Sequence, residues 1–208
     1  MQTDIQNSAT LFTTKERLIL ASASPRRRRF LEGLGLSFSI EAARVDEQPL
    51  AHEPPREFVL RTATDKARAV AEHYPDAWVL GADTVVVLDN RILGKPVDEE
   101  DAIRLLELLA GKWHEVLTGF CLCRKNMAHL TAHTVATTVK FVDYDEKIAA
   151  AYVQTGEPLD KAGAYGIQGK GGFLVERING SYSNVVGLPL AEVIEELLQL
   201  GIIIPGPK

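Results

Sequence analysis

Two hydrophobic patterns alternate along the chain. Short continuous apolar runs predict buried strands, and apolar residues spaced three or four apart predict amphipathic helices. Helices are predicted over Pro25–Leu34, Pro55–His73, Asp98–Leu109, Asp145–Gln154 and Leu190–Leu200. Strands are predicted over Arg17–Ala21, Trp78–Leu88, Arg91–Leu93, Glu115–Arg124 and His129–Val142, the second of them broken in its middle at Gly81-Ala82-Asp83.

One more hairpin is predicted around Asn179-Gly180, a pair typical of tight turns, with strands over Gly172–Ile178 and Tyr182–Val186. Helices that alternate with strands indicate an α/β fold, and the hairpins require some neighbouring strands to be antiparallel. The pattern therefore predicts an α/β protein with a mixed sheet.

Composition narrows the class of protein. The chain has 208 residues, 46% of them hydrophobic and 25% charged, which is typical of one soluble globular domain. We expect that domain over residues 16–204, after a polar and disordered tail over residues 1–15. The net charge of −5 argues against nucleic acid or a membrane surface as partner. Only two cysteines, Cys121 and Cys123, are present, so we expect buried thiols and a cytoplasmic location.

The segment Leu18–Arg29, LILASASPRRRR, carries the densest local signal. An apolar strand runs into Ser24, a good helix N-cap, and Pro25, which is favoured at the first helical position. A helix N-terminus offers free N–H groups and the positive end of the helix dipole, and beside arginines it suits phosphate. The alternative is that the arginines form a solvated helix face. Ligands of open α/β sheets bind beyond strand carboxyl ends, which favours a site at Ser22–Arg27.

Asp83 is the most unusual acidic residue, because it lies inside the apolar run VLGADTVV. A carboxylate in such a run is rare without a partner or a metal. It is either a general base or metal ligand, or a turn residue at the strand break. Lys95, between Gly94 and Pro96, lies in a loop of fixed shape and is a weaker candidate.

The segment 156–172 is rich in glycine, which lets a backbone approach a ligand closely. It matches neither the phosphate-binding loop of nucleoside triphosphatases nor a dinucleotide fingerprint. A flexible linker is the alternative, but Leu159, Tyr165 and Ile167 are too apolar for one. The amide of Gln168 has donors and acceptors that suit the edge of a nucleobase.

Seven blocks in order then carry a resemblance to a known family. They are LASASPRR at Leu20–Arg27, VDE at Val45–Glu47, DKA at Asp65–Ala67, GADTVV at Gly81–Val86, LGKP at Leu93–Pro96, GEPLDKAGAYGIQG at Gly156–Gly169 and INGSYSNVVGLPL at Ile178–Leu190. In these blocks the chain resembles the Maf (septum-formation-inhibitor) nucleoside triphosphate pyrophosphatases of the dTTP/UTP type.

The resemblance implies hydrolysis of dTTP and UTP to the monophosphate and pyrophosphate, with a divalent cation, Mg²⁺ or Mn²⁺, as cofactor. It implies a cytoplasmic homodimer with a house-cleaning role and a link to cell-division arrest. The implied fold is a long mixed central sheet flanked by helices, similar to inosine triphosphate pyrophosphatases. The alternatives are a 7-methyl-GTP-type enzyme of the same fold and a nucleotide-binding division regulator without turnover.

The resemblance also implies roles for individual residues. Asp83 matches the proton acceptor, and Glu47 and Asp83 match positions of metal contact. The substrate-binding positions are Ser22, Arg26, Arg27, Lys66, Thr84, Lys95 and Gln168. Three of them separate the subfamilies: the 7-methyl-GTP type has Trp, Gln and Glu where this chain has Arg26, Thr84 and Gln168. Without the resemblance, Glu47 is typical of a surface loop and Lys66 of a solvated helix face. Arg28 and Arg29 depart from the commoner family residues, and we expect them on a solvated face.

Overall fold

The computed structural model describes residues 10–207. The strands are β1 (Phe12–Thr14), β2 (Leu18–Leu20), β3 (Ser39–Ile40), β4 (Trp78–Leu88), β5 (Arg91–Leu93), β6 (Trp113–Arg124), β7 (His129–Phe141), β8 (Val175–Asn179) and β9 (Ile203–Pro205). The α-helices are α1 (Pro25–Gly33), α2 (Pro55–Ala71), α3 (Glu99–Leu109), α4 (Glu146–Val153), α5 (Tyr182–Val186) and α6 (Leu190–Gln199).

The central sheet has the strand order β3-β2-β4-β6-β7-β8, and β5 pairs with β4. Strand β2 is parallel to both β3 and β4, whereas the remaining pairs are antiparallel. The predicted α/β fold with a mixed central sheet is therefore confirmed. No helix within residues 10–207 is both long and apolar enough to cross a bilayer.

Helices pack on both faces of the sheet because β4 and β6 are apolar on both sides. Helix α2 covers the face that includes Val79, Val85 and Leu117. The opposite face packs against α1 and α6 at one end and against α3 and α4 at the other. Two glycines let α2 lie close to the sheet: a Cβ on Gly81 would lie 2.3 Å from the Ala63 carbonyl oxygen, and one on Gly119 would lie 2.3 Å from that of Val59.

The expected break in β4 is wrong. Strand β4 runs unbroken from Trp78 to Leu88 and pairs with β6 through Asp83, which lies opposite Gly119. Gly81 is present because α2 packs against it, and it makes no turn. Asp83 consequently projects from the middle of a strand.

The predicted second hairpin is wrong as well. Strand β8 is present, but the residues after Asn179-Gly180 form helix α5. The Ser181 side chain accepts a hydrogen bond from the Asn184 N–H and so caps this helix. The buried Asn184 side chain donates to the Val116 carbonyl at 3.1 Å, which holds the helix against the sheet.

The prediction of a disordered tail over residues 1–15 is wrong for Phe12–Thr14, which form strand β1. Strand β1 pairs antiparallel with β9, with Thr13 opposite Ile204, and Phe12 packs partly against the core. Residues 1–9 of that prediction lie outside the described residues. The prediction of buried thiols is confirmed, because Cys121 and Cys123 are both free and buried.

Candidate active site

A cleft of about 840 Å³ opens along one edge of β4. Strand β2 ends opposite Leu80, and β5 begins to pair with β4 only at Val86. Between these points the described chain places no strand on that edge. All nine residues singled out from the sequence line the cleft: Ser22, Arg26, Arg27, Glu47, Lys66, Asp83, Thr84, Lys95 and Gln168.

A carboxylate and an ammonium group meet at the floor of the cleft. Lys66 Nζ lies 2.7 Å from Asp83 Oδ1 and 3.0 Å from Glu47 Oε1. Lys66 and Asp83 are buried, whereas the Glu47 side chain is half exposed. Asp83 lies on the same face of β4 as Gly81, two residues earlier, where α2 approaches most closely. In the part of the chain that the structure describes, no residue donates a hydrogen bond to Asp83 Oδ2.

Arg27 is buried beside this pair and is held by four hydrogen bonds. Its Nε donates to the Gly187 carbonyl at 2.7 Å, and its Nη1 donates to Ser22 Oγ at 3.0 Å and to the Ala82 carbonyl at 2.9 Å. Its Nη2 donates to Thr84 Oγ1 at 3.0 Å. Burial lowers the pKa of the Arg27 guanidinium from its ordinary value, although the nearby Asp83 opposes this. Arg27 thus ties α1, the β4 edge and the end of α5 together while it places a positive charge at the cleft.

Thr84 points to the opposite face of β4 from Asp83 and belongs to a buried polar chain. Its Oγ1 lies 2.9 Å from Thr118 Oγ1, and Thr118 in turn donates to the Asn184 carbonyl at 3.2 Å. With the bond from Arg27, the Thr84 hydroxyl is engaged within the protein. Thr118 and Asn184 were missed by sequence reasoning, because a Thr and an Asn in these positions give no signal until β6 and α5 are brought together.

The N-terminus of α1 faces the cleft, as predicted. Pro25 is at the start of the helix and Ser24 is the N-cap, but the Ser24 side chain makes no capping bond. Ser22 Oγ instead accepts the Ser24 N–H at 3.3 Å. The first-turn N–H groups of a helix lack intrahelical partners, so this end can receive an anion.

The remaining predicted residues lie on the rim. Arg26 Nη1 is 3.5 Å from Asp160 Oδ2, and Lys95 and Gln168 are exposed. Arg28 pairs with Glu32 on the outer face of α1, and Arg29 is also exposed. The arginine run is therefore divided between the cleft and a solvated helix face.

The cleft is locally positive in an acidic chain. It is lined by five cationic side chains, those of Arg26, Arg27, Lys66, Lys95 and Lys161, and by three carboxylates, those of Glu47, Asp83 and Asp160. Asp160 and Lys161 were missed by sequence reasoning, although both lie in the glycine-rich block. The excess positive charge suits a ligand with several phosphates.

The carboxylates of the cleft bear on the divalent cation that the resemblance implies. Within residues 10–207, no three His, Cys, Asp or Glu side chains are grouped as a metal site. Glu47 and Asp83 nevertheless lie close to each other, because one oxygen of each contacts Lys66 Nζ. Two carboxylates fit a small hard cation whose other ligands are water and substrate phosphate oxygens.

The fold and this cleft define an α/β protein with a cationic cleft beside a buried carboxylate. Residues 17–200 match the family described as Maf-like protein. The chain therefore belongs to the Maf-like family.

Relatives align over most of the chain. A protein of Desulfotalea psychrophila named dTTP/UTP pyrophosphatase is 52% identical over 186 residues, covering 89% of this chain and 95% of that protein. A protein of the same name from Geobacter sulfurreducens is 48% identical, covering 90% of this chain and 98% of that protein. Another from Anaeromyxobacter dehalogenans strain 2CP-C is 53% identical, covering 91% of this chain and 96% of that protein.

Among solved structures, the Staphylococcus aureus Ham1 protein aligns with a TM-score of 0.45 and 13% identity, over 62% of this chain and 73% of that one. At that similarity the match bears on neither mechanism nor substrate.

Proposed function

We propose that this chain hydrolyses dTTP and UTP to the corresponding monophosphate and pyrophosphate. The observation that carries the proposal is the Lys66–Asp83 pair at the floor of a cationic cleft. The relatives named dTTP/UTP pyrophosphatase support the choice of substrate, because they align over about nine-tenths of the chain.

Asp83 acts as the proton acceptor in this proposal. Lys66 donates to Oδ1 and fixes the carboxylate, which leaves Oδ2 to accept a proton from water. The water oxygen attacks the α-phosphorus, and the bond from that phosphorus to the bridging oxygen breaks. Pyrophosphate departs with the bridging oxygen, and the monophosphate keeps the oxygen of water.

Cationic groups stabilise the charge that builds on the phosphates. Lys66 and Arg27 are fixed by protein contacts, so little reorganisation is needed when the charge develops. Lys95 is exposed on the rim and is the group with most freedom to follow the outer phosphates. The α1 N-terminus adds N–H donors.

Mg²⁺ or Mn²⁺ is the proposed cofactor, held by Glu47 and Asp83. When bound, such a cation withdraws charge from phosphoryl oxygens and orients the polyphosphate. Glu47 is suited to the outer position because its side chain is half exposed.

Gln168 is proposed to read the edge of the pyrimidine, since its amide is exposed on the cleft rim. The Thr84 hydroxyl is bonded to Arg27 and Thr118, so we assign Thr84 an indirect part through the position of Arg27. The homodimer and the cytoplasmic location stay predictions.

A substrate panel tests the proposal. Pyrophosphate release is measured with dTTP, UTP, CTP, ITP and 7-methyl-GTP at several concentrations of Mg²⁺ and Mn²⁺. We expect the highest kcat/KM for dTTP and UTP. Preference for 7-methyl-GTP would contradict the substrate class, and UTP binding without formation of UMP at any metal concentration would favour a regulator without turnover.

A further inference from the structure

Glu157 lies near the start of the glycine-rich segment 156–172 and accepts hydrogen bonds from the backbone further along it. Its Oε1 accepts the Tyr152 hydroxyl at 2.8 Å and the Gly171 N–H at 3.0 Å, and its Oε2 accepts the Lys170 N–H at 3.0 Å. The Tyr152 hydroxyl in turn accepts the Gly166 N–H at 3.2 Å. Backbone groups on both sides of Gln168 are thereby fixed to one carboxylate and one phenol.

The loop glycines fit this carboxylate closely. Gly169 has φ of 88°, and a Cβ there would lie 2.8 Å from Glu157 Oε2. A Cβ on Gly171 would lie 2.3 Å from the Tyr152 hydroxyl oxygen. These two positions therefore need glycine because the backbone closes onto the Glu157–Tyr152 pair.

The carboxylate is held in its ionised form. Burial acts to raise the pKa of Glu157, but hydrogen bonds from the Gly171 and Lys170 amides and from Tyr152 outweigh it, and the pKa lies below its ordinary value. An ionised carboxylate makes stronger hydrogen bonds to N–H groups than a neutral acceptor does. The loop is thus held by charge-assisted bonds throughout the neutral pH range.

The same residue also reaches the other rim of the cleft. The Glu157 backbone carbonyl accepts a hydrogen bond from Lys161 Nζ, and Lys161 also contacts Asp160 at 2.5 Å. Asp160 pairs with Arg26. Glu157 is not among the described residues that line the cleft. It can therefore affect a bound ligand only through the neighbouring residues that it positions.

We propose that Glu157 is a positioning residue for substrate choice, which fixes the loop so that Gln168 meets the base edge. The inference rests on the proposed function, because it takes Gln168 as the group that reads the pyrimidine. Glu157→Gln keeps the size of the side chain but turns one acceptor into a donor that opposes a backbone N–H. The variant then weakens the hydrogen bonds that fix the loop backbone, and the side chain of Gln168 is no longer held in one position.

The experiment compares Glu157→Gln, Gln168→Ala and the double variant with UTP and CTP, which differ at the base edge. We expect Glu157→Gln to raise KM for UTP, to leave kcat within about twofold, and to lower the UTP-to-CTP ratio of kcat/KM by roughly tenfold, as for loss of one good hydrogen bond. Added to Gln168→Ala, it should change the ratio by less than about twofold, because the positioned group is already gone.

Two further variants complete the design. Glu176→Gln removes an exposed carboxylate on β8 and should leave both kinetic constants unchanged. Tyr152→Phe removes the hydroxyl that joins Glu157 to Gly166 and should lower the same ratio, which keeps the inference testable if Glu157→Gln does not fold.

The outcomes distinguish a failure of the role inferred for Glu157 from a failure of the role proposed for Gln168. A Glu157→Gln or Tyr152→Phe variant that lowers kcat for both substrates alike, with the ratio unchanged, overturns the inference, and so does an undiminished effect in the Gln168→Ala background. If Gln168→Ala alone keeps the wild-type ratio, the proposed reading of the base fails, and the inference fails with it. A lowered ratio in Gln168→Ala but not in Glu157→Gln overturns the inference alone.

Discussion

The Lys66 ammonium group donates a hydrogen bond of 2.7 Å to Asp83 Oδ1, and both side chains are buried. The bond joins helix α2 to the middle of strand β4, at a point where only one edge of β4 is paired with another strand among residues 10–207. It makes Oδ1 of the carboxylate a structural anchor, and no described residue donates a hydrogen bond to Oδ2. The proposed chemistry depends on that division.

Replacement of Asp83 by Asn should abolish most turnover while the fold and nucleotide binding persist. The amide has nearly the same shape but cannot accept the proton of water, and general-base catalysis typically contributes 10²–10⁴-fold, so a kcat loss of about that size is expected. Circular dichroism and equilibrium binding of UTP check the fold and the site.

Asp89→Asn is the matched control, because Asp89 is exposed in a turn with φ of 49°, a conformation that Asn adopts readily. It should behave like the wild type. A purified Asp83→Asn enzyme with near-normal kcat would remove Asp83 from the mechanism.

Removal of divalent cations should stop turnover, and Glu47→Gln should raise the Mg²⁺ concentration needed for half-maximal rate. The amide weakens a hard-cation site, since only the charged carboxylate offsets the charge of the ion. Titration of chelated enzyme with Mg²⁺ and Mn²⁺ measures both effects. Full activity in the presence of excess chelator would contradict the proposed cofactor.

Gly81→Ala should destabilise the protein and lower activity together. The new Cβ would meet the Ala63 carbonyl oxygen at 2.3 Å, so α2 must move outward and carry Lys66 away from Asp83. Overpacking of this kind costs about 1–3 kcal/mol, which lowers Tm by several degrees in a chain of this size. Gly33→Ala, with nothing within 4 Å of the added Cβ, is the control and should change Tm little. Equal Tm values for the two variants would show that α2 tolerates the shift.

Stability should fall with acid partly through His114. Burial lowers the pKa of His114 to about 4, and its Nε2 lies 2.9 Å from the Tyr165 hydroxyl oxygen. Between pH 6.5, the ordinary pKa of histidine, and pH 4, His114 binds a proton in the unfolded chain but not in the folded chain. The free energy of unfolding is therefore at its full value above pH 6.5 and declines as the pH falls toward 4. The full loss is about 3 kcal/mol.

His114→Gln keeps a hydrogen-bonding group and removes the titration. Denaturant unfolding at a series of pH values should show the difference in unfolding free energy between wild type and variant shrinking from pH 7 to pH 4. A difference independent of pH would mean that His114 does not titrate in this way.

The sequence predicts the elements better than it predicts their contacts. The apolar periodicity of α2 and α6 and the capping by Asp98 and Asp145 are local, and these helices lie close to their predicted bounds. The hairpin predicted at Asn179-Gly180 is wrong because Ser181 caps helix α5 instead. That helix depends on contacts of Ser181 with β7 and of Asn184 with β6, which the local sequence does not encode.

Some site residues can likewise be predicted from the sequence alone, whereas others are recognised only in the folded structure. Asp83 stands out from sequence alone because its neighbours are apolar, whereas Lys66 is typical of a solvated helix face until α2 is packed at Gly81. Arg27 was expected from the resemblance to contact phosphate, and its four hydrogen bonds to the protein add an architectural part. Such contacts join residues far apart in the chain, which no local pattern encodes.

Hydrolysis of UTP in water enriched in ¹⁸O shows which phosphorus atom the water attacks. The products are separated after a single turnover, and their masses are measured by mass spectrometry. We expect one ¹⁸O atom in UMP and none in pyrophosphate, because water attacks the α-phosphorus in the proposed reaction. Label in pyrophosphate, or release of inorganic phosphate with UDP, would contradict it.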